Sequence, residues 1–367
     1  MKRKRIVIDA RCVTPHMHGI ARVALRFIEN AAAIAPDNEY IILHRSGVGE
    51  GTFPEADCLR FEECDTKLYG LRERFVIPRL LERLSPDLYY SPTYFAPSRA
   101  PCPVVFAIYD LIYISAPGSG DLRHNLYFKW FVRKAAKNAR RIITDSRYVA
   151  GELHVRLGIP PGKISTVYLG VDDALAEDTG PPDIGEPYIL NVSNPFPHKN
   201  TTGLLEAYRI LLEKGASHHK LIIAGEQARK VKEIAGSERL RHHVELAGNV
   251  DDERLVKLMR GASLFVLPSL YEGFGLPVLE AMKAETPVIA GANTAMSEIF
   301  DGAACLVDVK NPQAIAGAMS RLLNDEGERK ALAQKGAERA RNFTWRRMTE
   351  EILKVFDQFL TGNSHNR

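Results

Sequence analysis

Between Ala262 and Glu298 the chain reads as strand, tight loop, helix and strand again, and few folds accommodate that succession. Ala262-Ser263-Leu264-Phe265-Val266-Leu267 is an apolar strand that runs into Pro268-Ser269 and then an acidic turn with two glycines, Glu272-Gly273-Phe274-Gly275-Leu276. Pro277 suits the first turn of a helix, where its missing N–H costs nothing. Val278, Leu279 and Met282 give that helix an apolar face, and Thr286-Pro287-Val288-Ile289-Ala290 supplies a second strand. The unit is half of a parallel βαβ array, whose ligands sit at the carboxyl ends of the strands.

The loop has its own chemistry. Two glycines allow a ligand to approach the backbone, and the helix behind them offers unpaired N–H groups at a positive dipole end. That combination suits a diphosphate. Glu272 and Glu280 flank it, eight positions apart. A carboxylate does not favour phosphate, so their natural partners are hydroxyls. Diphosphate with hydroxyls on both sides describes a nucleotide-sugar.

The run Glu272-Gly273-Phe274-Gly275-Leu276-Pro277-Val278-Leu279-Glu280-Ala281-Met282 resembles the Glu-x7-Glu signature of retaining GT-B glycosyltransferases of family 4, the group 1 transferases. Many of these assemble O-antigen, capsule or lipid-linked saccharides. The resemblance implies two doubly wound α/β domains facing across a cleft. It implies a nucleotide-sugar donor, GDP- or UDP-linked, with no further cofactor and no metal. Glu280 would face ribose hydroxyls and Glu272 would hold hydroxyls of the transferred sugar. Gly273, Phe274, Gly275 and Leu276 would give backbone N–H groups to sugar and phosphate, Phe274's own ring serving packing.

The bulk numbers agree with a two-domain soluble enzyme. The 367 residues exceed a typical single domain, and 45% apolar and 26% charged content is ordinary. A net charge of +4 is compatible with an anionic substrate or membrane surface and is weak support for nucleic acid. Five cysteines, Cys12, Cys58, Cys64, Cys102 and Cys305, show no framework spacing, which points to reduced thiols in a cytoplasmic protein. The longest apolar stretch, Val104 to Ala116, is broken by Asp110 and is too short to span a membrane. Met1-Lys2-Arg3-Lys4-Arg5 looks like a signal n-region, but Asp9 cuts off the apolar run behind it, so a first strand at Arg5 to Asp9 is expected.

Strands and helices then alternate. Helices are expected over 22–33, 71–84, 121–139 and 147–157, the last capped by Ser146, and strands over 40–43, 88–90, 104–108, 141–144 and 164–168. The segment 47–67 lacks periodicity and reads as loop with short strands. Glu177 to Pro187, rich in Pro, Gly and Asp, reads as a linker. The second half restarts with strands at 188–192, 220–224 and 244–247 and helices at 202–214 and 252–260. Leu306-Val307 is a short edge strand, and helices at 312–323, 326–343 and 345–360 finish the chain. The expected layout is an acceptor-binding domain over 1–176, a linker over 177–187 and a donor-binding domain over 188–344. By the resemblance, the segment 345–367 forms a helix crossing back to the first domain.

Several further residues match family positions. Lys199, in Asn194-Pro195-Phe196-Pro197-His198-Lys199-Asn200, lies between a strand end and a helix start, where a lysine can meet a diphosphate as a point charge. Lys199-Asn200 matches the family's loop, and Asn194 counts with it as a donor contact; Ser193 and His198 stand where an arginine is frequent, and Arg229 and Lys230 read as solvated. Gly248, Asn249 and Val250 follow a strand end where family members cradle the base. Gly19, in a loop of His18-Gly19-Ile20-Ala21, matches the glycine that approaches the diphosphate, although the usual second glycine is Ala21 here. Glu298 matches another acidic position. The family's His-Asp at the end of the strand expected over 104–108 is Tyr109-Asp110 here. Tyr109 can donate a hydrogen bond but is a poor base at neutral pH, which leaves Asp110 to orient the acceptor or take its proton.

The stretch Arg123 to Lys134 mixes aromatics with cations. It fits a core helix burying Tyr127, Phe128, Phe131 and Val132, with a cationic edge able to touch the inner membrane surface. Asp172-Asp173 and Asp251-Asp252 do not have the geometry of a metal site. The expected activity is transfer of a hexose, mannose being one candidate, to a saccharide or lipid-linked acceptor. Two alternatives stay open: a sugar-nucleotide epimerase or phosphorylase on the same fold, and a non-enzymatic two-lobed binding protein.

Overall fold

The computed structural model describes residues 3–14, 19–48, 51–70, 72–97, 99–115, 122–177, 180, 184–215 and 218–360. His18, Leu71, Asp121, part of the 177–187 segment, residues 361–367 and the side chains of Arg123, His124 and Tyr127 lie outside it. The chain divides into two compact units. One comprises Met1–Leu111, Asp121–Gly170 and Thr344–Arg367, the other Ile112–Gly120 and Val171–Phe343.

The first unit holds β1 (Arg5–Asp9), α1 (Gly19–Ile34), β2 (Glu39–His44), β3 (Leu59–Glu63), α2 (Glu73–Leu84), β4 (Leu88–Ser91) and β5 (Val104–Ala107). After the single turn α3 (Ile112–Ser115), grouped with the second unit, come α4 (Leu122–Asn138), β6 (Arg141–Thr144), α5 (Arg147–Leu157) and β7 (Ile164–Thr166). The strands pair in parallel in the order β3-β2-β1-β4-β5-β6-β7. The central strands β1, β4 and β5 are apolar along nearly their whole length because helices cover both faces of such a sheet. Ser146 caps α5, its Oγ accepting from Val149 N at 3.2 Å.

The second unit contains β8 (Tyr188–Val192), α6 (Thr201–Glu213), β9 (Lys220–Ala224), α7 (Arg229–Ala235), β10 (Val244–Gly248), α8 (Asp252–Gly261), β11 (Leu264–Leu267), α9 (Leu276–Lys283), β12 (Val288–Gly291), α10 (Thr294–Phe300), β13 (Cys305–Val307), α11 (Pro312–Asn324) and α12 (Glu326–Ala340). Its parallel order, β10-β9-β8-β11-β12-β13, reverses direction between β8 and β11. Both units are therefore doubly wound α/β folds, and each has a switch point where strand order reverses.

The last helix, α13 (Trp345–Leu360), belongs to the first unit. Met348, Ile352, Val355 and Phe356 recur at helical spacing and are buried, and the Phe356 ring lies 5.8 Å from Phe27 of α1 and 5.2 Å from Tyr90 of β4. Gly170 allows the chain to arrive there. A Cβ on it would stand 2.2 Å from the backbone N of Trp345.

Three expectations change. Gly19 is the first residue of α1 rather than a loop residue, because the buried face of that helix starts at Ala21, before Arg22. Among its described residues the segment 47–67 contains one strand, β3, whose edge position leaves Phe61 exposed. The chain after Ala290 forms α10, a short helix with no counterpart in the sequence reading.

Candidate active site

The loops after β8 and β11 flank the switch point of the second unit. Asn191, buried in β8, reaches across it and donates from Nδ2 to Val266 O of β11 at 2.7 Å. The loop amide of Leu270 donates to His198 O at 2.7 Å, which ties the β11 loop to the β8 loop. The same loop is held from behind by Asn293, whose Nδ2 donates to Ser269 O and Leu270 O at 3.2 and 3.3 Å. Glu272 N donates to Thr294 Oγ1 at 3.3 Å.

Pro197–Lys199 is a 3-10 turn that ends on Asn200 in the left-handed region, φ 55°. Asn200 Nδ2 donates to Val309 O at 2.8 Å, fixing the turn to the body of the unit. The turn carries Lys199 to Glu272, Nζ to Oε1 at 2.7 Å, with side chains 13% and 12% exposed. Residues 73 positions apart thus form one charge pair at the mouth of the site. His198 beside them is buried. That burial, with the neighbouring Lys199 charge, pushes its imidazole down to about 4, so it is neutral at physiological pH.

Gly275 precedes α9 in the left-handed region, φ 96°, and its O accepts from Val278 N and Leu279 N. Pro277 carries no N–H, so of the first-turn amides the one that no carbonyl of the helix or its cap takes up is that of Leu276, at the positive end of α9. Gly273 and Phe274 are buried, and the Phe274 ring packs edge-on against Phe343 at 5.9 Å. Leu276 opens the helix and is half-buried. Glu280 is a buried residue of α9, one turn inside the helix that begins at Leu276. Glu298 is half-buried on α10.

Gly248 ends β10 with φ 65°, and its O accepts from Gly225 N at 2.6 Å. Asn249 is exposed and Val250 half-buried behind it, while Asn194 is half-buried at the start of the β8 loop. Gly19, Tyr109 and Asp110 belong to the first unit. Tyr109 has its hydroxyl buried beside that of Tyr90, and burial raises it well above the ordinary phenol range. It is thus a neutral phenol across physiological pH.

One cluster escaped the sequence reading. At the carboxyl end of β1 the wholly buried Arg11 donates from Nε to Asp9 Oδ1 at 2.7 Å and through its other nitrogens to Asp9 Oδ2, to Glu73 Oε1 at 2.6 Å and to Thr66 O at 2.9 Å. Tyr89 Oη donates to Asp9 at 2.6 Å, and Tyr69 N to Glu73 at 2.8 Å. Asp9-Ala10-Arg11 has no sequence signal separating it from a solvated strand end. Among the described residues no group of three or more His, Cys, Asp or Glu is placed to hold a metal ion, and no helix is long and apolar enough to cross a membrane.

Two doubly wound units, one with a glycine-capped helix and a Lys–Glu pair at its switch point, define a GT-B-type transferase architecture. Residues 17–175 match the model of Glycosyltransferase Family 4, and residues 177–339 that of Glycosyl transferases group 1. The chain belongs to this family of glycosyltransferases. It is similar to the O-antigen chain mannosyltransferase B of Escherichia coli, 26% identical over 73% of this chain and 74% of that one. Its fold matches that of sucrose-phosphate synthase from Thermosynechococcus elongatus (TM-score 0.77, 17% identity, 98% and 100% of the two chains). WaaG, a glycosyltransferase involved in lipopolysaccharide biosynthesis, has the same fold (TM-score 0.75, 16% identity, 98% and 100% covered).

Proposed function

We propose that this glycosyltransferase moves a hexose, mannose being the first candidate, from a GDP- or UDP-linked sugar to a saccharide or lipid-linked saccharide, with retention of configuration and without a metal. The observation that carries this reading is the convergence of Lys199, Glu272 and the Gly275-capped start of α9 at one switch point. The donor sits on the second unit and the acceptor on the first. Mannose as candidate rests on the O-antigen relative.

In this mechanism the bond between the sugar's C1 and the diphosphate oxygen breaks while the acceptor oxygen bonds to C1 from the same face. Charge grows on the leaving diphosphate, where Lys199 and the positive end of α9 with its Leu276 amide act more strongly than they do on the intact donor. Glu272 holds sugar hydroxyls and Glu280 ribose hydroxyls, so neither serves as a covalent nucleophile. Gly248, Asn249 and Val250 supply backbone to the base. Asp110 orients the acceptor hydroxyl, whose proton passes to Asp110 or to the departing phosphate oxygen.

The first unit also offers a surface for the membrane that carries lipid-linked acceptors. Phe75 on α2 and Trp130 on α4 are 67% and 49% exposed, and the guanidinium of Arg74 and ammonium of Lys134 lie 5.6 and 5.1 Å from the Trp130 ring. Apolar rings among cations fit the interface of an anionic bilayer.

The test is incubation with GDP-mannose, UDP-glucose and UDP-galactose, with and without a mannoside acceptor and with a chelator, followed by NMR of the product's anomeric centre. Acceptor-dependent transfer with retention, undiminished by chelator, is expected. Sugar conversion without acceptor would move the protein to the epimerases. Lys199→Ala and Glu280→Ala should each lower kcat/KM by about a hundredfold, and near-normal kinetics in both would contradict the assigned roles.

A further inference from the structure

We infer that the Lys199–Glu272 ion pair discriminates the intact sugar donor from the sugar-free nucleoside diphosphate, each side chain occupying the place of the other's ligand until a donor takes both. The inference rests on the donor reading above and adds to it a device for rejecting product. Lys199 Nζ and Glu272 Oε1 are 2.7 Å apart, both side chains about seven-eighths hidden from solvent. Among the described residues neither has a second ion-pair partner. His198, next to Lys199 in the chain, is buried and uncharged at neutral pH, so it does not neutralise Glu272 when the lysine leaves.

A largely buried pair is costly to split when one member is left with no counter-charge. A nucleoside diphosphate would draw Lys199 onto its phosphates and strand the Glu272 carboxylate. An intact donor takes the same lysine but brings hydroxyls that donate to Glu272 in its place, so both groups stay satisfied. After transfer the sugar leaves Glu272, the carboxylate recaptures Lys199, and the grip on the diphosphate weakens. The backbone of each partner is fixed, Glu272 by Thr294 and the lysine turn by Asn200, so the exchange requires side-chain motion alone. Glu272 is thus a specificity-determining residue through its partner as well as through the sugar.

The test compares binding of GDP with GDP-mannose, and UDP with UDP-glucose, by calorimetry in the full chain and in Glu272→Gln, Glu272→Asp and Lys199→Arg. For the nucleotide that the native protein uses, Glu272→Gln should bind the sugar-free diphosphate about tenfold more tightly than the native protein does, since Lys199 is released at no cost. The sugar nucleotide should gain less or lose, so the preference for donor over diphosphate collapses and product inhibition strengthens. Lys199→Arg, which keeps the pair, should keep the preference, and Glu272→Asp should fall between, which also covers a poorly folding glutamine variant. Unchanged or weaker diphosphate binding in Glu272→Gln overturns the exchange while leaving the donor site standing. If the native protein binds neither diphosphates nor sugar nucleotides, the donor reading fails and this inference with it.

Discussion

A Cβ placed on Gly275 would stand 2.6 Å from Sδ of Met296, so the helix that faces the site is separated from α10 by the thickness of a glycine. Gly275 also has φ 96°, where an L side chain is strained. Gly275→Ala should cost about 2 kcal/mol in denaturant unfolding, because the neighbour is a methionine that can shift. Gly225 presents the harder case. Its Cβ would meet the backbone O of Ser193 at 2.0 Å, and backbone at the end of β8 does not yield. Gly225→Ala should therefore cost more, about 4 kcal/mol, and the reverse order would refute this account of the packing.

His198 sets a pH dependence. Its imidazole titrates near 4 in the folded protein against about 6.5 in the unfolded chain. Below pH 6.5 the unfolded chain takes up a proton that the folded one refuses, so the contribution is complete above 6.5 and disappears as pH falls toward 4. The loss should reach about 3 kcal/mol at most across that window. His198→Asn keeps the carbonyl that accepts from Leu270 and should flatten the slope of unfolding free energy between pH 6.5 and 4. An unchanged slope would assign the effect elsewhere.

Much of the architecture is legible in the residues because parallel strands covered on both faces are uninterrupted apolar runs: Ile6-Val7-Ile8, Val104-Val105-Phe106 and Leu264-Phe265-Val266 announce themselves. β3 does not, since at a sheet edge Arg60 and Phe61 face water and the run is broken. α10 is seven residues long, and Ala295, Met296, Ile299 and Phe300 are too few for a period to stand out. Within the site, Glu272 through Glu280 form one continuous motif. The meeting of Lys199 with Glu272 has no local signature, being a product of strand order, and Thr294 and Asn293 enter through α10. The Arg11 cluster is equally silent because burial of an arginine follows from tertiary packing.

That cluster yields a prediction of opposite pH sense. Arg11 is the buried cation between Asp9 and Glu73, and burial already pushes the Glu73 carboxyl up to about 7 against the pull of the guanidinium. A raised carboxyl holds its proton in the folded state between pH 4.5 and 7, so stability falls as pH rises through that window. Arg11→Met removes the cation and leaves two carboxylates with one tyrosine hydroxyl, Tyr89, and two amides, those of residue 11 and Tyr69, between them. The variant should lose about 4 kcal/mol at pH 7.5 and less at pH 5, where the Glu73 carboxyl is protonated. Chemical denaturation at the two pH values checks this, and a penalty independent of pH would mean that the carboxylates find other partners.

The surface around Trp130 is open to a direct measurement. Phe75 and Trp130 are large rings left in solvent on α2 and α4, while Phe128 and Val132 of the same α4 helix are buried and hold it to the unit. Replacing the two exposed rings should therefore leave folding nearly unaffected, within about 0.5 kcal/mol for each position. Sedimentation with vesicles containing anionic lipid should show binding by the native chain that weakens as salt rises, because Arg74 and Lys134 contribute charge. Phe75→Ser with Trp130→Ser should reduce partitioning by about tenfold or more at low salt, since insertion of apolar rings supplies the rest. Vesicles of neutral phosphatidylcholine should bind the native chain weakly. Equal binding of native and doubly substituted chains would leave only the charges at work and remove the rings from the membrane contact.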